Sequence, residues 1–209
     1  MHLLSLLALL LVSPKLVDAT QVAFKSDTAP ATARKAFKDA GIVPDVIPAF
    51  DPVLEVDITY QYDTNVKRAV LGTQFAKYET QNFPLWALFG VPPKLRGANF
   101  VAVIIDPDAP KPEDPKNAQF RHFLGADFTL WRGALLHNSS AALSEYVQPS
   151  PPSESKPHRY VFLVYRQSED IPKTISSGNA KFNVTAFAEK YNLGPPLGGN
   201  FLTVSTQDD

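Results

Sequence analysis

The stretch FVAVIIDPDAP, residues 100–110, decides how this chain folds. Phe100 to Ile105 is an unbroken apolar run in which Val101, Val103, Ile104 and Ile105 are β-branched, and it predicts a strand buried on both faces. The run stops at Asp106-Pro107-Asp108-Ala109-Pro110, which sets two carboxylates around a proline. Strand ends present side chains to a shared rim, so chemistry is expected there.

Working outward, Val53 to Tyr62 alternates, with Leu54, Val56, Ile58, Tyr60 and Tyr62 on one face and Glu55, Asp57, Thr59 and Gln61 opposite. That period of two predicts a half-buried strand. Phe120 to Leu130, Tyr160 to Arg166 and Phe201 to Ser205 are further strands, Arg68 to Phe75 is a weaker one, and Asn82 to Arg96 reads as a packed irregular connection. Gln148 to Pro157 must be a loop, because Pro149, Pro151, Pro152 and Pro157 fall within ten residues. Helix formers from Thr32 to Ala40 stop at Gly41, and Val184, Phe187, Ala188 and Tyr191 recur at helical spacing before Asn192 and Gly194. Many strands and few short helices make one mainly β domain.

Composition bounds the function. Twenty Lys+Arg against 21 Asp+Glu give a net charge of -1, which removes the electrostatic basis for nucleic-acid binding. The absence of cysteine excludes a disulfide framework, a thiolate zinc site and a cysteine nucleophile. Nineteen prolines in 209 residues are about twice average usage, yet 44% hydrophobic residues are too many for a disordered polymer.

The N-terminus carries an address. LLSLLALLLV, residues 3–12, is too short to span a bilayer and reads as the apolar core of a signal peptide, with Val17-Asp18-Ala19 supplying a cut after Ala19. Residues 1–19 are thus expected to be removed, the mature chain to start at Thr20, and the protein to be secreted. No second apolar stretch is long enough to cross a membrane. Asn138-Ser139-Ser140 and Asn183-Val184-Thr185 fit the N-glycosylation pattern, and Asn183 equally suits the N-cap of the helix that begins at Val184.

Beyond the signal segment the histidines are His122, His137 and His158, of which His122 and His158 stand in strand-like contexts. A histidine in that setting is ordinarily a satisfied core residue. Asp106, Asp108, His122 and His158 are chemically suitable metal ligands but lack any local metal signature, so no metal and no cofactor are expected. No G-x-S-x-G elbow is present, and the chain is read as a binding protein rather than an enzyme.

Taken together, DPDAP at 106–110, HF at 122–123, HRYVFLVYRQ at 158–167 and KYNLGPPLGGNF at 190–201 with a terminal QDD resemble the phosphatidylethanolamine-binding protein family. That family includes Raf kinase inhibitor proteins, plant flowering-time regulators and the fungal inhibitor of carboxypeptidase Y. The resemblance covers about residues 48–209, leaving 20–47 as an N-terminal segment with a short helix. It implies a large central β-sheet with a smaller second sheet and a few short helices. It also implies a small anion pocket lined by Asp106, Asp108, His122 and His158, shaped by Pro110 and Phe120, floored by Tyr160, and closed by Ser150 and Pro152 of the Pro-rich loop. Imidazoles would donate to phosphate or carboxylate oxygens, while the carboxylates orient a histidine or receive an ammonium. Two departures stand out: Phe120-Arg121-His122 replaces a more usual His-rich or Trp-His pattern, with Arg121 adding positive potential or pointing outward, and the Pro-rich loop holds no glycine. The implied ligand is a phospholipid head group or another phosphorylated or carboxylated small molecule. The alternative is inhibition of a serine carboxypeptidase through a protein interface.

Overall fold

A computed structural model describes residues 27–138 and 140–205. The expected signal segment, the mature start at Thr20, Ser139 of the first glycosylation pattern and the terminal QDD lie outside the described residues.

Nine strands form one hydrogen-bonded order, β2-β1-β4-β7-β6-β5-β8-β9-β3. They are β1 (Glu55–Tyr62), β2 (Asn65–Ala69), β3 (Thr73–Ala76), β4 (Leu85–Phe89), β5 (Phe100–Asp106), β6 (Phe120–Trp131), β7 (Leu135–His137), β8 (His158–Arg166) and β9 (Gly198–Ser205). Neighbours are antiparallel except β3 and β9. The FVAVII run is β5, between β6 and β8 and buried along its whole length. Its Val101, Val103 and Ile105 face a core shared with the helices, while Phe100, Ala102 and Ile104 face a second core shared with β1 and β4. Both faces are dry, as an unalternating apolar run requires.

The smaller second sheet is joined to the large one. The twelve residues of β6 pair with β5 from Phe120 to Phe128 and with β7 from Thr129 to Trp131. Just before that change the register with β5 shifts between Gly125 and Phe128, and Gly125 leaves no room for a Cβ, which would sit 2.7 Å from the rings of Phe123 and Phe128. Next to it Asp127 takes a positive φ of 59° and exchanges hydrogen bonds with the Gln167 amide at 2.6 and 2.7 Å. At the other end the sheet folds back on itself through buried Asn200 of β9, whose Nδ2 donates to the carbonyls of Val56 in β1 and Ala69 in β2 at 2.9 and 3.1 Å.

Helices α1 (Pro30–Asp39), α2 (Ile42–Asp45) and α3 (Val184–Lys190) cover the face of Val101 and Ile105. In α1, Pro at the first helical turn and Ala33 and Phe37 four positions apart fix start and buried face, and Gly41 at φ 67° ends it. Among the described residues no helix is long and apolar enough to cross a membrane.

Two expectations change. Asn82 to Arg96 is not irregular throughout: it contains β4, in which Trp86 and Leu88 are buried and Leu85 and Phe89 exposed. All four are apolar, so alternating burial left no alternating polarity to read. Arg68 to Phe75 is two strands rather than one, because Leu71 at φ 37° and Gly72 at φ 106° turn the chain between β2, which pairs with β1, and β3, which pairs with β9.

Candidate functional site

Antiparallel pairing brings the last residue of β5 beside the first residues of β6 and β8. Asp106 sits opposite Phe120, and Ile105 opposite both Arg121 and Val161. The β5–β6 register then slips, with Ile104 opposite Phe123, so His122 is an extra residue in a β-bulge. A bulge re-aims a side chain, and here it turns His122 onto the same face as Phe120 and Tyr160. The ring centroids lie 4.9 and 5.0 Å from those two neighbours.

These ends enclose a cavity of about 270 Å³ lined by Asp106, Pro110, Phe120, His122, Ser150, Pro152, His158 and Tyr160, as the sequence reading expects, together with Ala109, Asn117, Val147 and Gln148. Asp108 is the exception. It is 3% exposed and faces away from the cavity wall, where Arg159 takes both its oxygens: Nη2 donates to Oδ1 at 2.6 Å, while the backbone N–H and Nε donate to Oδ2 at 2.8 and 2.9 Å. Arg159 Nη1 donates onward to the Ala40 carbonyl at 2.7 Å, tying the loop to the end of α1. Asp108 is therefore corrected from pocket wall to structural anchor. A guanidinium fork satisfies a buried carboxylate better than a lone imidazole can.

Asp106 takes the orienting part. Its Oδ1 accepts the Asp108 N–H at 2.7 Å and its Oδ2 accepts from His158 Nδ1 at 2.8 Å. His158 Nε2 lies 2.9 Å from Ser155 Oγ. Both nitrogens of this nearly inaccessible imidazole are thus engaged.

His122 is set differently. Nδ1 lies 2.7 Å from the Val147 carbonyl, which only accepts, so this nitrogen carries the proton. The neutral ring then offers a lone pair on Nε2, 4.0 Å from Asp106 Oδ2. Burial holds the His122 pKa below its ordinary value, against the opposing pull of the Val147 carbonyl and Asp106. The expected picture of two imidazoles donating freely to an anion is changed: His158 is occupied, and neutral His122 accepts. Tyr160 is kept firmly protonated by burial and by Asp106 beside it.

Arg121 neither points outward nor faces the cavity. On the opposite side of β6 it is 2% exposed, donates to Ser177 O and Asn179 Oδ1 at 3.0 and 3.1 Å, and stacks its guanidinium 4.8 Å from the Phe182 ring. Burial lowers its pKa.

The Pro-rich loop is anchored at its start and closes a turn on itself near its end. Val147 N–H donates to the His122 carbonyl at 2.8 Å, Gln148 Nε2 to the Lys77 carbonyl at 2.8 Å, and Ser155 N–H to the Pro152 carbonyl at 2.9 Å. Sequence reasoning missed Asn117, Ser155 and Arg159. Asn117 brings to the rim a carboxamide with no hydrogen-bond partner among the described residues. HRY shows Arg159 in plain sight, and the alternation of side chains along a strand, which turns it to the face opposite His158 and Tyr160, was the available signal. Among the described residues, no three His, Asp or Glu side chains are arranged to hold a metal ion. Asn183 caps α3, its side chain accepting from the Ala186 N–H at 2.9 Å, and it is exposed.

A family model described as phosphatidylethanolamine-binding protein matches residues 63–202. Among solved structures, the chain is similar to a carboxypeptidase Y inhibitor complexed with its cognate proteinase, at 24% identity and TM-score 0.73 over 86% of this chain and 98% of that one. It is also similar to a phosphatidylethanolamine-binding protein from Plasmodium vivax, at 18% identity and TM-score 0.67 over 84% and 98%. A third likeness, to the protein CG7054 known from a solution structure, has 28% identity and TM-score 0.56 over 80% and 92%.

Proposed function

Since this chain belongs to the phosphatidylethanolamine-binding protein family, we propose that the cavity at the ends of β5, β6 and β8 binds a small zwitterion of the phosphoethanolamine type. The observation that supports this is the mixed character of the lining: one carboxylate, Asp106, beside a His122 nitrogen that accepts when neutral, and the neutral donor Asn117 at the rim. An ammonium group would donate to Asp106 and His122, and phosphate oxygens would accept from Asn117 and the Ser150 hydroxyl. A simple dianion lacks the ammonium and meets an unneutralised carboxylate, so it binds less well at neutral pH.

Titration of phosphoethanolamine and of inorganic phosphate into the isotopically labelled protein at pH 7.5 tests this by NMR. Resonances of His122 and Asn117 are expected to shift with phosphoethanolamine at millimolar concentration and less with phosphate. Unchanged spectra in both titrations overturn the reading. Secretion after cleavage behind Ala19 and glycan addition at Asn138 and Asn183 belong to the same proposal. Intact mass of the protein secreted by its own host reads cut site and glycans together.

The overall likeness to the carboxypeptidase Y inhibitor favours a second reading, inhibition of a serine carboxypeptidase through a surface. Undiminished hydrolysis by carboxypeptidase Y at micromolar mature protein sinks it.

A further inference from the structure

One group bonded to the cavity-lining His158 is left over by head-group binding. Ser155 is half-buried, and its hydroxyl is aimed at His158 Nε2, 2.9 Å away. Behind it His158 Nδ1 meets Asp106 Oδ2 at 2.8 Å, and Asp106 Oδ1 is pinned by the Asp108 N–H at 2.7 Å. His158 is 1% and Asp106 3% exposed, so water competes poorly for either bond.

The proton positions follow from donor chemistry. An ionised Asp106 only accepts, so Nδ1 of neutral His158 carries the proton and Nε2 holds the lone pair that faces the hydroxyl. That is the tautomer a general base needs. The serine reaches this position without a strand-to-helix elbow. Instead Pro151 and Pro152 precede it, Pro157 follows it, and its own N–H closes a turn onto the Pro152 carbonyl at 2.9 Å. Proline restricts the loop beforehand, so the serine is held in place cheaply.

We propose that Ser155 is an activated nucleophile, acylated or phosphorylated by small esters and phosphoryl halides with good leaving groups. Ser155 Oγ forms the new bond to the carbonyl carbon or phosphorus as its proton passes to His158 Nε2. The bond to the leaving group breaks, and that group departs with the proton from His158. The product is an ester on Ser155, and no further reactant is required. Asp106 acts as a positioning residue, holding the ring and its tautomer.

Diisopropyl fluorophosphate tests this on the full chain at pH 8, with intact mass and peptide mapping as readouts. A single adduct is expected at Ser155, formed about 100-fold faster than in the urea-unfolded chain and about 100-fold faster than in Asp106→Asn. Ser155→Ala, which trims a half-exposed side chain, is expected to take no label while keeping its circular dichroism. No adduct at Ser155, or a rate equal to that of the unfolded chain, overturns the proposal even if Asp106→Asn fails to fold. Phosphoethanolamine binding by Ser155→Ala is read separately, so labelling and head-group binding can fail independently.

Discussion

The two faces of the strand ends around DPDAP are built from the same few residues and yet differ in how completely their polar groups are satisfied. On the helix-covered face, Asp108 has three hydrogen bonds from Arg159, and Arg121 donates through its Nη atoms to Ser177 and Asn179, leaving only its Nε unbonded. On the cavity face, Asp106 and His158 are bonded through both oxygens and both nitrogens, but His122 Nε2 has no partner closer than Asp106 Oδ2 at 4.0 Å and the Asn117 side chain has none among the described residues. Satisfied groups hold a fold together, whereas unsatisfied ones remain available to a ligand. Two carboxylates two residues apart therefore do different jobs.

The sharpest way to break that contrast is to remove each carboxylate in turn. Asp108→Ala leaves Arg159 without its counter-ion in a largely buried place and frees the end of α1, so a loss of about 3–5 kcal/mol is expected in urea unfolding. Asp106→Asn keeps the shape and part of the hydrogen bonding, and about 1–3 kcal/mol is expected. Were Asp106→Asn the costlier change, the cavity face would be the structural one and the assignment would reverse.

Arg121→Leu gives a smaller effect. It leaves the Ser177 carbonyl unbonded and Asn179 Oδ1 with Ser144 Oγ as its remaining partner, but also removes a buried charge with no carboxylate beside it. The two partly offset, for a net loss of about 1 kcal/mol. Hydrogen exchange in residues 177–182 is expected to quicken while the cavity residues keep their protection. Loss of protection at His122 instead would show that the two faces are coupled through β6.

Much of this arrangement was legible in the residues. The unbroken FVAVII run announced a central strand, and eight of the nine expected ligand-binding residues line the cavity together. Asp108 was misplaced because sequence gives a residue's neighbourhood but not its face. Adjacent loop carboxylates look equivalent until the partner, Arg159, is seen on the opposite side of β8. The bulge that aims His122 was hidden for a related reason, since a one-residue slip in register leaves no mark in composition. Ser155 carries no nucleophile signature in the sequence, because such signatures rest on glycine-flanked turns while this loop is shaped by proline.

The finest distinction between the faces is the charge on His122. Burial lowers its folded pKa, so between the folded value and the unfolded value of about 6.5 the unfolded chain binds the extra proton. Stability from this group is full above about pH 6.5 and declines as the pH falls below it. Ligand binding runs the other way for a simple anion, because protonated His122 turns Nε2 from acceptor to donor. Inorganic phosphate affinity is therefore expected to rise on acidification, by at most about tenfold per pH unit for one linked proton. His122→Gln, which cannot titrate, should flatten both trends between pH 7.5 and pH 5: its melting temperature should fall less than that of the unaltered protein, and its phosphate affinity should rise less. If phosphate affinity in the unaltered protein falls on acidification, the anion is meeting a group other than His122. The cavity face would then owe its binding to neutral donors alone, while the opposite face rests on the fixed Asp108–Arg159 ion pair.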